Sequence, residues 1–396
     1  MNVNILLLAL GTFAIGTETF MIAGLLPAIA EYFAVSLSAA GQLVTVFSFV
    51  YAVGSPVLMT MAGRAERRGL LALSLVVFAA GNAVCGSAFS FAMMFAGRVI
   101  AALAAGLFAP AASAAAAALV SPDKRGRALS IVIGGQTVSL MLGVPFGTYL
   151  AHIFHWKVPF WVVAAVSLVA AALIRRLFPV VPSPGAVTLK ERLSVLKRPV
   201  ILSALLTTLM WGIAVFSVYT YIADLYGVFG AVGNMISLML LIGGIAGFAG
   251  VSLGGFAADK IGSVGTIALA LSVLAASLAA MSALYALSGF KGILGIALAV
   301  VALYGISSYA FNPAQQHQLI GLSGPSAGIV LSLNASAIYL GSALGAFLGG
   351  LVLTYGSVAA LGYFAGAWSL AALILFAVSR RLPKERPVRM QRAAEK

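Results

Sequence analysis

Long apolar stretches alternate with short polar segments along the whole chain. An α-helix rises about 1.5 Å per residue, so about 20 apolar residues cross a hydrocarbon core of about 30 Å. Twelve stretches meet this length, and we predict a membrane-spanning helix in each of them. They lie at residues 5–28, 39–62, 69–89, 91–119, 127–151, 158–178, 199–225, 232–256, 264–287, 292–319, 326–353 and 358–379. An even number of spans places both ends of the chain on one side of the membrane.

The longest polar connection, PVVPSPGAVTLKERLSVLKRP, separates the sixth span from the seventh. Its Pro- and Gly-rich start is typical of a linker. Thr188 and Glu191 then fit a capping box, and Leu189, Leu193 and Leu196 share one helical face. We predict four regions: an N-terminal six-helix bundle at 1–178, a linker with a short amphipathic helix at 179–198, a C-terminal six-helix bundle at 199–379 and a basic tail at 380–396.

The two halves repeat one another in sequence. Pro110 lies 12 residues before Pro122, and Pro313 lies 12 residues before Pro325, so the two pairs are offset by 203 residues. The same offset carries Gly147 onto Gly350. Duplicated six-span halves that meet at a midplane cavity are a recurrent design of secondary transporters.

Composition and charge agree with this interpretation. The chain is 62% hydrophobic and 8% charged, whereas soluble domains are about 45–50% apolar and about 25% charged. Of its 23 Lys and Arg residues, we place 20 on the side of the termini, two (Lys157 and Lys291) on the other side and Arg98 within the membrane. This asymmetry predicts cytoplasmic termini, and it argues against nucleic acid as the reason for the net charge of +14.

The cysteine content and the N-terminal sequence bear on disulfide bonding and on membrane targeting. Cys85 is the single cysteine, so no disulfide within the chain is expected. The N-terminus, MNVNILLLAL, lacks the basic segment of a cleavable signal peptide, and its apolar run is long enough to span. We therefore expect the first apolar run to stay in place as a membrane helix.

Two charged residues fall inside predicted spans. Glu18 lies near the middle of the first span, where a carboxylate costs at least about 2.5 kcal/mol on insertion scales. Arg98 lies in the fourth span, in FAGRVIAALAAG, and an intramembrane Arg needs an acceptor or a water-filled cavity. We therefore expect an electrostatic link between the two, with Glu18 as a proton carrier and Arg98 as its modulator. A buried structural acid is the alternative role for Glu18.

Two short motifs resemble those of a known family. GGFAADKIGS, with Asp259, Lys260 and Gly262, resembles a loop signature of the major facilitator superfamily. The matching loop of the first half, MAGRAERRGL, departs from it, because Gly63 stands at the acid position, although Glu66, Arg67 and Arg68 follow. GVPFG in the fifth span resembles the antiporter motif of the drug:proton antiporter branch, through Gly143, Pro145 and Gly147, while ordinary close packing of helices is the alternative.

Over nearly its whole length the chain resembles the twelve-span drug:proton antiporter family of the major facilitator superfamily. It is most similar to the bacterial purine and sugar (arabinose) efflux subgroup, through AGQLVTVFSFVYAVGSPVL, NPAQQHQLI and SLNASAIYLGSALGAFLGGLVL. The resemblance implies an all-α protein of the bacterial inner membrane, built from two pseudo-symmetric six-helix bundles. It also implies proton-driven efflux of a small, mostly uncharged molecule, such as a purine base, a nucleoside or an amphenicol-type drug, with sugar efflux as an alternative.

Polar and aromatic residues within the spans are candidates for a substrate cavity. Amides can read the donors and acceptors of a heterocycle, and aromatic rings can stack on its faces. The same residues could instead serve in packing or in the interfacial aromatic belt. The candidates are Gln42, Tyr51, Gln136, Trp211, Tyr219, Tyr221, Asn312, Gln315, Asn334 and Tyr339.

Other polar residues have simpler interpretations. Asp224 is expected to be a solvated acid at a helix end, and His317 a polar surface residue. His152 and His155 have a spacing that can ligate zinc, but no nearby carboxylate or cysteine completes such a site, so we expect no metal. No cofactor is expected either.

Other functional classes fit less well. The chain has no G-x-x-x-x-G-K-[ST] loop, which excludes an ATP-driven pump that works alone. The spans lack a cluster of nucleophile, base and metal ligands, so an enzyme is not expected. Uptake by proton symport and a receptor or scaffold role remain alternatives. The expected partners are a small-molecule substrate, protons and membrane lipid, and we expect a functional monomer.

Overall fold

The computed structural model describes residues 3–121, 124–181, 189–286 and 292–381, and within these ranges it is helical and has no strand. The fifteen α-helices are α1 (Val3–Phe33), α2 (Leu37–Met61), α3 (Arg67–Gly86), α4 (Phe91–Ala118), α5 (Arg125–Val138), α6 (Val144–Ile153), α7 (Val158–Leu177), α8 (Leu189–Ser194), α9 (Pro199–Tyr219), α10 (Ile222–Val228), α11 (Asn234–Lys260), α12 (Gly262–Tyr285), α13 (Ile293–Ser323), α14 (Ala327–Tyr355) and α15 (Val358–Ser379). A π-helical turn, Ser139–Gly143, joins α5 to α6.

Twelve helices of the described ranges are long and apolar enough to cross a membrane, as the sequence predicts. α5, the π-helical turn and α6 together form one of them. The predicted span at 199–225 ends earlier than expected, because α9 stops at Tyr219 and the separate short helix α10 follows. Tyr221 and Asp224 therefore lie beyond the span to which the sequence pattern assigns them.

Side-chain caps fix where several helices begin. The Ser36 hydroxyl accepts a hydrogen bond from Ala39 N at 3.1 Å, and the Ser90 hydroxyl accepts one from Met93 N at 3.2 Å. Both serines thereby satisfy backbone donors that the first turn of a helix leaves free. Because such donors are costly to leave unpaired near a membrane, each cap holds the start of its helix at the end of a span.

Each half is held together by close contacts between helices. A Cβ atom added at Gly212 would lie 3.0 Å from the Gly341 Cα, so α9 and α14 touch through their backbones. One added at Gly81 would lie 2.7 Å from Ala101 N, so the backbones of α3 and α4 are also in close contact. Without a hydrophobic driving force between helices in lipid, such small-residue contacts maximise van der Waals packing.

The halves meet along two seams. α2 packs against α14, with the Ser38 hydroxyl donating to Gly350 O at 2.9 Å and the Ser48 and Ser342 hydroxyls 3.0 Å apart. The π-helical turn and α6 pack against α11. We call the end of the bundle that carries α8 the linker end and the end that carries Ser36 the opposite end.

The predicted linker contains the short helix α8. One residue of α8 and one residue just before α9 contact the second half. Arg192 Nη1 donates to the Ser332 hydroxyl at 3.2 Å, and Arg198 Nη2 donates to Leu322 O at 3.0 Å. Leu189 and Leu193 are exposed. Thr188 of the predicted capping box, Pro122, Lys291 and most of the basic tail lie outside the described residues.

Candidate functional site

Glu18 and Arg98 form an ion pair in the interior of the first half. Both side chains are fully buried, and Arg98 Nη1 donates to Glu18 Oε1. Arg98 Nε donates to Leu43 O at 3.1 Å, and the guanidinium lies 4.2 Å from the centre of the Phe47 ring. The pair therefore ties α1, α4 and α2 together at membrane depth, as a buried charge requires.

The pair is not fully satisfied. Within the described part of the chain, Glu18 Oε2 and Arg98 Nη2 have no hydrogen-bond partner. Among the described acids, Glu18 is the one that is completely buried. A carboxylate with one free oxygen beside a single cation can gain or lose a proton at less cost than one enclosed by several donors. This arrangement suits a proton carrier better than a permanent structural bridge.

A second group of predicted residues meets on the seam between the halves. The rings of Tyr51 and Tyr339 stack with centres 3.6 Å apart, and Gln136 Nε2 donates to the Tyr339 hydroxyl at 3.2 Å. Gln136 and Tyr339 are separated by 203 residues, which is the repeat offset of the sequence. Equivalent positions of two repeats can touch only near the axis that relates them, so this group lies on the pseudo-symmetry axis.

A third group lies inside the second half. Gln315 Nε2 donates to Ala204 O at 2.7 Å and to the Thr208 hydroxyl at 3.0 Å, and that hydroxyl donates to Asn334 Oδ1 at 2.8 Å. Thr208 is not among the residues that the sequence pattern predicts for the site. Its position one turn before Trp211, on the same face of α9, is a signal that could have found it.

Trp211 lies one turn after Thr208 on α9, and its ring packs against α13, the helix that carries Gln315. It stacks on Phe311 with ring centres 4.9 Å apart and is 2% exposed. In the described ranges, Trp211 Nε1, Asn312 Oδ1 and Gln315 Oε1 lack hydrogen-bond partners. These atoms are one donor and two acceptors that a polar ligand or ordered water can satisfy.

The remaining three candidates are engaged in packing. Gln42 Nε2 donates to Ser38 O of its own helix at 3.2 Å. The Tyr219 hydroxyl donates to Phe20 O at 3.3 Å, and the Tyr221 hydroxyl donates to Ala346 O at 2.8 Å. Tyr219 thus joins the two halves, whereas Tyr221 bonds within the second half, and neither belongs to the groups above.

The predicted antiporter motif lies against α1. Val144 N donates to Ser139 O, five residues back, in the π-helical turn, and Pro145 follows without a backbone donor. A Cβ atom added at Gly143 would collide with the Thr17 hydroxyl, and one added at Gly147 would lie 3.1 Å from Met21 Sδ. The motif therefore brings α5 and α6 into close contact with the turns of α1 that carry Glu18.

The two predicted gating loops differ in structure. Arg67 is buried, and its backbone N donates to Val181 O at 3.2 Å, so the first loop contacts the start of the linker. Asp259 and Lys260 are exposed at the end of α11, where the Lys260 ammonium lies 5.0 Å from the centre of the Phe256 ring. Gly262 starts α12 with φ of +81°, a conformation that favours glycine.

Glu66 caps α3 with its carboxylate. Its two oxygens accept hydrogen bonds from Arg68 N at 2.7 Å and Gly69 N at 2.8 Å. Slight burial opposes ionisation, but these bonds and the charges of Arg68 and Arg175 outweigh it and lower the pKa of the Glu66 carboxyl. Its stabilising contribution is therefore complete above the ordinary Glu pKa and disappears as the pH falls through the lowered value.

We expect Glu66→Ala to lower the free energy of unfolding by about 1 kcal/mol at pH 7, because two donors of the first turn of α3 lose their cap. Thermal unfolding of the detergent-solubilised protein at pH 7 and at about pH 3 measures this. The difference from the wild type should shrink at the lower pH. Glu66→Gln, which keeps an oxygen acceptor, serves as the control. Its melting temperature at pH 7 should lie between those of the wild type and Glu66→Ala. Equal melting temperatures at pH 7 would contradict the assignment.

His152, His155 and Asp224 lie at the opposite end. His155 Nδ1 accepts a hydrogen bond from Lys157 N at 3.3 Å, while the His152 ring packs against Gly233. Among the described residues, no three His, Cys, Asp or Glu side chains form a group that could hold a metal. Asp224 is partly buried near the start of α10, and burial raises the pKa of its carboxyl. His317 is exposed.

Comparison with known proteins places this architecture in a family. The sequence profile of the Major Facilitator Superfamily matches residues 8–325. The inner membrane transport protein YdhP of Escherichia coli (strain K12) is 31% identical over 390 residues, 97% of each chain. The chloramphenicol resistance protein of Streptomyces lividans is 37% identical over 229 residues, 57% of this chain and 58% of that protein.

The fold is also similar to that of a solved transporter structure. The crystal structure of a D-xylose-proton symporter superposes with a TM-score of 0.76 over 96% of this chain and 97% of that one. At 18% identity, this likeness shows the fold alone. The chain is a multi-pass membrane transporter and not an enzyme, and it belongs to the major facilitator superfamily.

Proposed function

We propose that the protein exports a small, mostly uncharged molecule in exchange for protons, as a member of the drug:proton antiporter branch. The observation that carries the proposal is the fully buried ion pair between Glu18 and Arg98. Glu18 lies on α1, the helix that Gly143 and Gly147 contact. Burying an acid within the membrane costs free energy, so its presence there indicates a function. Carrying a proton is a function that a single titratable group can perform.

The pair supports a simple cycle. Protonation of Glu18 removes its negative charge and so weakens its attraction to Arg98. The freed α1 can then shift relative to α4, while the glycines of the motif allow α5 and α6 to follow. Deprotonation on the other side restores the ion pair. Rocking of the two halves around the seams then alternates access to the cavity.

For the substrate, we propose a purine base, a nucleoside or an amphenicol-type drug. The unpartnered groups of Trp211, Asn312 and Gln315 offer one donor and two acceptors, which suits a neutral molecule with amide-like edges. The similarity to a chloramphenicol resistance protein supports a drug substrate. Sugar efflux and proton-coupled uptake are the alternatives.

Transport by inverted membrane vesicles tests the proposal. Radiolabelled hypoxanthine, chloramphenicol and arabinose are offered separately, with and without an imposed proton gradient that is acidic inside. Antiport predicts accumulation of at least one compound that depends on the gradient. Accumulation driven by a gradient of the opposite sign would establish symport instead, and vesicles without the protein are the control.

We further propose that the linker end is cytoplasmic, because 20 of the 23 basic residues are placed there. The expected result is that Lys190→Cys and Lys384→Cys react with a membrane-impermeant maleimide only after cells are permeabilised. Tyr355→Cys, at the opposite end, is the matched control and should react in intact cells, since Tyr355 is 86% exposed. The native Cys85 is buried and should stay unlabelled. Labelling of position 190 in intact cells would contradict the orientation.

A further inference from the structure

Tyr339 belongs to the second half, yet it lies against side chains of the first. It is part of α14, its ring stacks on Tyr51 of α2, and its hydroxyl accepts a hydrogen bond from Gln136 of α5. A centre-to-centre distance of 3.6 Å between the stacked rings leaves no gap for a ligand between them. The structure thus favours a contact between the halves over the substrate contact that the sequence suggests for both tyrosines.

The same hydroxyl lies close to the proton carrier. It lies beside the side chain of Thr19, the residue after Glu18. Its donor Gln136 packs against Gly16, two residues before Glu18, where an added Cβ atom would lie 3.0 Å from the Gln136 side chain. Thr19 Oγ1 already donates to Ile15 O at 2.8 Å, so towards other groups it acts as an acceptor. The Tyr339 hydroxyl accepts from Gln136 and retains its own proton to donate. Tyr339 therefore bridges α5 and the Glu18 turn of α1.

We propose that Tyr339 is a positioning residue that couples the movement of α14 to the access of protons to Glu18. The inference rests on the proposed proton antiport. The Tyr51 ring, on which Tyr339 stacks, lies 6.5 Å from the ring of Phe47, and the Phe47 ring faces the Arg98 guanidinium that pairs with Glu18. With α14 in its present position, the Tyr51–Tyr339 stack therefore lies next to the buried pair. When the halves rock apart along this seam, Tyr339 moves away with α14. Glu18 then becomes accessible, so proton exchange is confined to one stage of the cycle.

Few other titratable groups lie near this region. Those that face Glu18 or Tyr339 from the packed helices are Arg98 on α4, Cys85 on α3, Tyr51 on α2 and Tyr309 on α13. Arg192, which contacts Ser332 on α14, lies at the linker end of the bundle. A change in proton access at Tyr339 is therefore expected to act through Glu18.

A proton leak through reconstituted protein tests the coupling without any substrate. Purified protein is placed in liposomes that enclose a pH-sensitive dye, and the decay of an imposed pH gradient is followed. Tyr339→Ala is expected to dissipate the gradient several-fold faster than the wild type. The double variant Glu18→Gln/Tyr339→Ala should return to the wild-type rate, because the exposed proton carrier has been removed. Tyr363→Ala, on the exposed face of α15, is the matched control and should not leak.

Milder variants keep the test decisive if Tyr339→Ala fails to insert. Tyr339→Phe retains the ring and removes the hydroxyl, and Gln136→Leu removes the same hydrogen bond from the other side. Each should leak by a similar, smaller factor, and their combination should leak no more than either alone. Wild-type leak rates in all the Tyr339 variants would overturn the inference, as would a leak that persists with Glu18→Gln. Unchanged proton-driven transport by Glu18→Gln alone would instead refute the antiport proposal.

Discussion

Glu18→Gln is expected to abolish transport driven by the proton gradient while substrate exchange continues. The amide keeps the size of the side chain and an oxygen that can accept from Arg98 Nη1, but it cannot gain or lose a proton. Arg98 also retains its bond to Leu43 O and its contact with the Phe47 ring, so the first half should still fold. The neutral amide thus mimics permanently the protonated form of Glu18.

Inverted vesicles supply both measurements for this variant. Gradient-driven accumulation should fall to the level of vesicles without the protein, and counterflow of labelled against unlabelled substrate should remain. Glu31→Gln is the matched control, because Glu31 is an exposed acid near the C-terminal end of the same helix. Wild-type accumulation with an unchanged pH profile would show that Glu18 is a structural acid. Asp224 would then be the next acid to test.

Arg98→Met is expected to lower the free energy of unfolding by about 3–5 kcal/mol at pH 7, because it leaves the buried Glu18 carboxylate without its cation. Met preserves much of the side-chain volume, so the loss reports on charge more than on a cavity. Adding Glu18→Gln should recover most of the stability, since neither partner is then charged. The two changes should therefore be strongly non-additive.

The dependence on pH gives a second check of the Arg98 variant. A protonated Glu18 needs no cation, so the stability deficit of Arg98→Met should shrink as the pH falls and Glu18 protonates. Thermal unfolding in detergent over a range of pH measures the deficit, with Arg64→Met as the control on an exposed arginine. A deficit that is independent of pH, or equal losses in the single and double variants, would exclude an electrostatic role for the pair.

The twelve spans could be predicted because each is a local property of the chain. About 20 successive apolar residues are sufficient to identify a membrane helix, wherever its neighbours lie. The main miss was the end of the seventh span, where α9 stops at Tyr219 although the sequence remains apolar through Ile222 and Ala223. A break of this kind depends on contacts such as that of Tyr221 with Ala346 on α14, which no local pattern contains.

The sequence predicts a link between Glu18 and Arg98, but it does not predict the groups in which the other candidates meet. Glu18 and Arg98 each stand out as a charge within an apolar span, but 80 residues separate them, and their pairing follows from the packing of α1 on α4. The repeat offset already relates Gln136 to Tyr339 in the sequence. Their hydrogen bond could not be anticipated, because an offset between repeats does not say which equivalent helices touch.

Hydropathy and charge along the chain are thus enough to give the number of helices, the isolation of one acid and the duplication of the halves. The grouping of ten candidate side chains into a seam cluster, a cluster in the second half and three packing residues came from the fold. The reason is physical: burial in lipid is decided residue by residue by transfer free energy, whereas hydrogen bonds within the membrane depend on which helices approach closely. That approach is set by glycine contacts such as Gly143 with Thr17 and Gly212 with Gly341.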